Sequence, residues 1–142
     1  MKVNINDFTP YREGRHKEFT SSENHCTHVG QNKDLSCVRQ FKIDGKVISS
    51  TSSEWRCDYL LLNDDKQVAY YIELKGSDID HAIDQIEHAI EMIHPSIKKY
   101  TVQRRIVYRT GSHAIHNSKV IAWKCKHKSS AKIESRQLIE KI

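Results

Sequence analysis

The chain has 142 residues, 37% of them hydrophobic, and a formal net charge of +5. This length suits one hydrophobic core, so residues 1–142 are treated as a single domain. No apolar run approaches the roughly 18 residues of a membrane span, which argues against a membrane protein. The N-terminal sequence does not resemble a signal peptide, and the four cysteines form no CxxC pair, so we expect free thiols and a cytoplasmic location.

The charge is distributed unevenly along the chain. Residues 1–92 carry 11 Lys and Arg against 16 Asp and Glu, whereas residues 93–142 carry 12 against 2. A basic half beside an acidic half suits a protein that holds a polyanion such as nucleic acid, although a solubilising basic tail would give the same pattern. Basicity alone does not separate DNA from RNA.

The first third of the sequence gives weak structural signals. Tyr11 to Phe19 is compatible with a short helix weakened by Gly14, and Thr20 to Lys33 is polar and loop-like. Five residues raise the alternative of a structural zinc site: His25, Cys26, His28, Cys37 and Cys57. Because Cys26 and His28 are closer together than usual zinc ligand pairs and Cys37 stands alone, we favour loop histidines and buried thiols.

Two β-hairpins are predicted before residue 76. The stretch 37–53 has strand character on both sides of Asp44-Gly45, a strong two-residue turn signal. Arg56 to Lys75 contains two apolar runs of strand length around the polar turn Asn63 to Lys66.

A helix is predicted directly after Gly76. Ser77 to Asp80 fits a helix start with a Ser cap and an acidic first turn, and Pro95 follows the end. The apolar positions recur at helical spacing and should pack on the sheet: Ile79, Ala82, Ile83, Ile86, Ala89, Ile90 and Ile93. Gln85 lies between His81 and His88 on the adjacent polar face.

Four segments are predicted after this helix. Thr101 to Tyr108 is a strand, 111–117 a loop or short helix, and Lys119 to Lys126 a last strand covered on both faces. Ser129 to Ile142 is predicted to be an amphipathic helix that closes the sheet or makes a dimer contact. Basic side chains of these segments are the expected contacts to nucleic-acid phosphates: Arg104, Arg105, Lys119, Lys124 and Lys126.

The most informative residues are Asp58, Glu73 and Lys75 in the second hairpin. Strand pairing can bring Asp58 beside Glu73, and Glu73 and Lys75 project from the same face because they are two residues apart. Two carboxylates with the Leu74 carbonyl between them can hold Mg²⁺, and a lysine there can orient water and offset charge on a phosphate. A solvated strand edge is the simpler alternative, but acids within apolar strands and followed by a helix favour a site.

This pattern resembles the PD-(D/E)XK nuclease superfamily, which includes type II restriction enzymes, Holliday junction resolvases and RecB-type exonucleases. The similarity lies in Asp58, Glu73-Leu74-Lys75, Gly76 and the helix, over about residues 56–93, with Cys57 in place of the family's proline. It implies an α/β fold with a restriction endonuclease-like αβββαβ core, in which helices flank a mixed central β-sheet. It also implies Mg²⁺-dependent hydrolysis of phosphodiester bonds in nucleic acid, with Mn²⁺ as a substitute. The resemblance does not specify which nucleic acid is cut, and we expect DNA.

The resemblance implies two further site residues. Several branches of the superfamily carry a helix glutamine ten residues after the motif lysine, which is Gln85 here and would contact the attacking water or a phosphate. An acid from the first helix often completes the metal site in the family. Glu18 is preferred over Glu13 and Glu23 because the adjacent Phe19 could anchor the segment against the core.

The sequence therefore predicts a metal-dependent nuclease. The expected catalytic residues are Asp58, Glu73, Lys75 and Gln85, and the expected metal ligands are Asp58, Glu73, Leu74 and Glu18. Because one active site cuts one strand, a homodimer is expected on duplex DNA. Two alternatives stay open, namely a non-catalytic nucleic-acid-binding protein with the same fold and a small interaction module stabilised by metal on Cys and His residues.

Overall fold

The computed structural model describes residues 2–49, 51, 54–110 and 116–142. Nine strands lie in these ranges: β1 (Arg12–Gly14), β2 (Glu18–Glu23), β3 (Cys26–Gln31), β4 (Val38–Lys42), β5 (Tyr59–Asn63), β6 (Val68–Lys75), β7 (Thr101–Tyr108), β8 (Ala131–Ser135) and β9 (Gln137–Lys141). The α-helices of the same ranges are α1 (Ile79–Ile93) and α2 (Ser118–His127). Short 3-10 helices occupy Ile5–Asp7, His94–Ile97 and Lys128–Ser130.

Six strands form a mixed sheet in the order β1-β4-β5-β6-β7-β8. The pairs from β1 to β6 are antiparallel, and β6, β7 and β8 run parallel. The predicted hairpin of Arg56 to Lys75 is confirmed as β5 and β6, which we call the central hairpin. Every residue of β5 is buried, which explains why Tyr59 to Leu62 form a continuous apolar run rather than an alternating pattern.

The two faces of the main sheet are covered differently. Leu60, Leu62 and Tyr71 pack in a core with both α-helices, whereas Leu61 and Ile72 pack in a second core against a small sheet. That small sheet has the order β2-β3-β9. Both α-helices of the described residues therefore contribute to the core on one face of the main sheet, and the small sheet covers the other face.

Helix α1 confirms the predicted apolar stripe. Ile79, Ile83 and Ile86 are among its buried residues, and the helix ends before Pro95. The cap differs from the prediction: the Asp78 side chain, not that of Ser77, accepts a hydrogen bond from the His81 amide at 3.0 Å.

The helix predicted for Tyr11 to Phe19 and the loop predicted for Thr20 to Lys33 are wrong. Strand β1 and the hairpin of β2 and β3 occupy these residues. Burial alternates along both hairpin strands, but the inward positions include polar residues such as Ser21 and His28, so the sequence pattern hides the period of two. Asn24 and His25 form the turn with φ of 52° and 60°, as two-residue hairpins require.

The two C-terminal predictions are also wrong, because helix and strand are exchanged. The strand predicted for Lys119 to Lys126 is helix α2, which buries Val120 and Trp123 against the main core. The helix predicted for Ser129 to Ile142 is β8 and β9, which pair in parallel with β7 and β3. The second strand predicted after Asp44-Gly45 is absent from the described residues, where a tight turn ends in a bond from Gly45 N to Ile48 O of 2.7 Å.

The fold is thus mixed α/β with a mixed multi-strand sheet. In chain order, β4, β5, β6, α1 and β7 give the sequence βββαβ, but within the described residues no α-helix precedes them. The loop or short helix predicted for 111–117 lies outside the described residues from 111 to 115. Neither helix of the described ranges is long and apolar enough to cross a membrane.

Candidate active site

Asp58 meets β6 at the point where β5 begins. Its amide donates to Ile72 O at 3.1 Å, and its Oδ2 accepts from the Leu74 amide at 2.8 Å. The register pairs Tyr59 with Ile72, so Asp58 lies opposite Glu73. The central hairpin therefore brings the two carboxylates together, as the D…ExK spacing predicts.

Lys75 is held by the helix that follows it. Its Nζ donates to Gln85 Oε1 at 2.8 Å and lies 3.9 Å from Glu73 Oε2. Gln85 Nε2 donates in turn to Arg56 O at 3.1 Å, so both ends of the amide are engaged. Asp58, Glu73, Lys75 and Gln85 form one connected cluster at the end of the central hairpin, which we call the carboxylate–lysine cluster.

Burial disfavours the ionised form of both carboxylates in the metal-free protein. Burial raises the pKa of Asp58 to about 6, with the negative charges of Glu23 and Asp44 adding to the effect and the Leu74 amide opposing it. Glu73 is 2% exposed, and burial followed by repulsion from Asp58 raises its pKa well above the usual value. Its Oε1 is buried without a hydrogen-bond partner among the described residues.

An acidic cleft of about 270 Å³ opens beside Asp58. We use this name for the space lined by Glu23, Asn24, Lys42, Asp44, Asp58 and Tyr59. Asp44 is a turn residue, as expected, and its Oδ1 accepts from Arg56 Nε at 2.8 Å. The cleft gives solvent a route to the Asp58 side of the cluster.

The structure does not bring Glu18 to this cleft. Glu18 is exposed and pairs with Gln31 at one end of β2, whereas Glu23 pairs with Cys26 at the other end. The two acids are five positions apart along the strand, a separation of about 16 Å. Glu23 is therefore the N-terminal acid that reaches the site, because the β2–β3 hairpin turns immediately after it.

Residues at the turn of the β2–β3 hairpin also form hydrogen bonds with the end of β6. Asn24 Nδ2 donates to Leu74 O at 2.8 Å, and Cys26 Sγ lies 3.6 Å from Lys75 O as a donor. The Leu74 carbonyl oxygen, an expected metal ligand, has two lone pairs, and the hydrogen bond from Asn24 uses one of them. Asn24 is a site residue that sequence reasoning missed, and an Asn in a two-residue turn was the available signal.

The side chains of the site include possible ligands for a divalent cation. In the described ranges, no group of three or more His, Cys, Asp and Glu side chains is placed to hold a metal ion. Asp58 and Glu73 nevertheless offer hard oxygen donors, one of which is buried and unpaired, and their mutual repulsion would be relieved by a cation. Because Mg²⁺ commonly binds through one or two carboxylates and completes its shell with water, these residues fit it.

The residues of the zinc alternative have other contacts. His28 Nε2 lies 2.7 Å from Glu140 Oε2 in the interior, and the Cys26 thiol faces Lys75 O. The Cys37 amide donates to Asp65 Oδ2 at 3.1 Å at the start of β4, and His25 lies in the hairpin turn.

The five expected phosphate contacts divide into two groups. Arg104, Arg105 and Lys119 form ion pairs within the protein, with Glu87 at 2.7 Å, Glu140 at 2.8 Å and Asp84 at 2.7 Å respectively. Arg105 is 3% exposed because β7 lies between β6 and β8, so the structure does not present it to a ligand. Lys124 and Lys126 are exposed on α2.

No family model matches the sequence, and no curated protein or solved structure matches it. The site is therefore defined by its own geometry: a mixed α/β protein carries one buried carboxylate, one half-buried carboxylate and a fixed lysine at the open end of a hairpin.

Proposed function

We propose that the chain is a Mg²⁺-dependent nuclease that hydrolyses phosphodiester bonds in nucleic acid, with DNA as the first candidate substrate. The observation that carries this proposal is the meeting of Asp58 and Glu73 with a lysine that Gln85 holds by a 2.8 Å bond. A purely structural role would not account for two adjacent carboxylates that burial and repulsion both disfavour.

The metal ligands in this proposal are Asp58, Glu73 and the Leu74 carbonyl, with Mn²⁺ as a substitute ion. Mg²⁺, when bound, supplies Lewis acidity that polarises a phosphodiester. Glu23 replaces Glu18 as the acid from the N-terminal part, because it lines the acidic cleft. The carboxylates also give the cleft a negative potential, so a phosphate would approach only after a cation has been bound.

Lys75 is the residue proposed to position the attacking water and to stabilise negative charge. Its ammonium group lies beside Glu73 and would orient a water for attack and offset the charge that develops on the phosphate oxygens. Gln85 is a positioning residue, because its bond to Arg56 O fixes the amide that holds Lys75.

Nucleic acid binding is assigned to the exposed part of α2. The exposed Lys124 and Lys126 supply positive charge for backbone phosphates. The proposed binding surface does not include Arg104, Arg105 and Lys119, because their charges are paired within the protein. A homodimer remains part of the proposal for duplex substrates, because one site cuts one strand.

A cleavage assay tests the proposal. Duplex DNA, single-stranded DNA, four-way junctions and RNA are incubated with Mg²⁺, Mn²⁺ or EDTA, using wild type, Lys75→Ala and the exposed control Lys33→Ala. We expect metal-dependent cutting that Lys75→Ala abolishes and Lys33→Ala retains. Cutting in EDTA, or equal cutting by Lys75→Ala, would overturn the assignment, and salt-sensitive binding without any cutting would favour the non-catalytic nucleic-acid-binding protein.

A further inference from the structure

The two tryptophans of the chain differ sharply in their surroundings. Trp123 is 6% exposed, and its Nε1 donates to Glu87 Oε2 at 3.0 Å. Trp55 is 49% exposed, although burial of an indole is strongly favourable. Tyr11, Ile121 and Ile139 are exposed to a similar degree, so the position of Trp55, and not its exposure alone, points to a function.

The segment that carries Trp55 is fastened to one face of α1. The Glu54 carboxylate pairs with His88, and Arg56 O accepts from Gln85 Nε2. Between these two contacts, the ring of Trp55 meets that of His81 with centroids 5.1 Å apart and planes at 81°. The helix partners lie at spacings of four and three residues, so the exposed indole is held in place rather than left on a free loop.

Trp55 is connected to the carboxylate–lysine cluster in two ways, by its position in the sequence and by the hydrogen bonds of Gln85. The next residue, Arg56, shares Gln85 with Lys75, and Asp58 follows two residues later. The edge-to-face contact with His81 covers at most one face of the indole, and the side chain is 49% exposed.

A fixed aromatic face near a phosphate-processing group suits a nucleobase. Base–aromatic stacking is tolerant of sequence and needs a base whose own face is free. Bases inside a duplex are stacked on their neighbours, so the partner of Trp55 must be an unpaired nucleotide in a single strand, a branch point or a frayed end.

We propose that Trp55 is a stacking platform for an unpaired nucleobase beside the scissile phosphate. This inference rests on the proposed nuclease function and deepens it, because it names nucleic acid with unpaired nucleotides at the cutting point as the substrate class.

The test is a binding titration that does not depend on cleavage. Wild-type protein in Ca²⁺, and separately in EDTA, is titrated with a short single-stranded oligonucleotide and with the same sequence as a blunt duplex, while tryptophan emission and anisotropy of a labelled oligonucleotide are recorded. We expect single strands to quench the emission of Trp55, with Trp123→Phe showing the same quenching. Trp55→Ala should weaken single-strand binding roughly 5- to 150-fold, and Trp55→Phe should bind nearly as wild type.

Ile139→Ala is the matched control, since Ile139 is a comparably exposed apolar residue, at 51%, on β9. Tight binding without quenching, equal quenching by the duplex, or wild-type affinity of a folded Trp55→Ala would overturn the stacking proposal and leave the nuclease proposal standing. An absence of binding by every DNA and RNA oligonucleotide would overturn both.

Discussion

Lys75 and Gln85 stand ten residues apart in the chain and meet at 2.8 Å between Nζ and Oε1. The bond joins the end of β6 to the second turn of α1, across the sharp exit at Gly76. Because Gln85 Nε2 is bound to Arg56 O, the amide cannot rotate without losing a second hydrogen bond. The lysine is thereby held in a single place beside Glu73.

Gln85→Leu should lower the rate of cleavage about 10- to 100-fold, the usual cost of losing a residue that orients an active-site group. The reason is that Lys75 loses its partner while the volume of the side chain stays similar. A positioning role predicts a fall in kcat with little change in the unfolding midpoint, and Gln85→Glu should recover part of the activity because it keeps an acceptor oxygen. Equal kcat in Gln85→Leu and in the exposed control Glu91→Gln would contradict this role.

Glu23 and Glu18 form a matched pair on strand β2. Glu23→Gln should weaken Mg²⁺ activation about 10- to 100-fold, because Glu23 lines the acidic cleft and supports the ligands there. Glu18→Gln, with the same chemistry at the far end of the strand, should activate as wild type. The measurement is the Mg²⁺ concentration for half-maximal cleavage, and the reverse order of the two variants would restore the assignment made from sequence.

Replacing Lys124 and Lys126 with Gln should weaken nucleic-acid binding for all sequences. If both contact phosphates, the slope of log affinity against log salt should fall by about 1.8 on duplex DNA and about 1.4 on single strands. Lys17→Gln with Lys33→Gln provides a control of equal charge change at exposed positions. An unchanged slope would remove α2 from the binding surface.

The central hairpin, α1 and strand β7 were predicted correctly from signals that lie within each segment. The central hairpin depends on a local turn, and α1 on a continuous apolar stripe with a cap, so both signals lie within a few residues. Strands β8 and β9 depend on partners far away, since β9 pairs with β3 more than a hundred residues earlier. Their short alternating patterns therefore looked helical in isolation.

The candidate site divides in the same way. Asp58, Glu73, Lys75 and Gln85 come from the central hairpin and the helix that follows it. The spacing predicted that Asp58, Glu73 and Lys75 would lie together, and the family resemblance pointed to Gln85. Glu23 and Asn24 arrive from a separate sheet, and Arg105 is withdrawn from the surface by an ion pair with Glu140 that only the packed strands bring together. The pattern of residues within one segment does not predict contacts between segments that are distant in the sequence.

Asp58→Asn should stabilise the metal-free protein at pH 8 while removing Mg²⁺-dependent cleavage. The ionised carboxylate is disfavoured in the folded state by burial and by neighbouring acids, and asparagine retains an oxygen for the Leu74 amide. We expect a gain of roughly 2 kcal/mol in the free energy of unfolding, measured by urea denaturation in EDTA. Added Mg²⁺ should raise the stability of wild type and leave the variant unchanged, and a variant less stable than wild type in EDTA would contradict the account.

Glu140 should make the stability of the protein fall in acid. Burial alone would raise its pKa, but hydrogen bonds from His28 and Arg105 outweigh burial and lower the pKa from 4.5 to about 2. A depressed carboxyl pKa stabilises the fold above the unfolded value and loses this contribution as the pH falls from about 4.5 towards 2. Glu140→Gln should therefore cost about 3 kcal/mol near pH 7, where it leaves Arg105 buried without a charged partner, and much less near pH 2. Glu134→Gln, an exposed neighbour on β8, should show no such pH-dependent difference in denaturation, and a constant gap between Glu140→Gln and wild type across this range would exclude the ion pair as its cause.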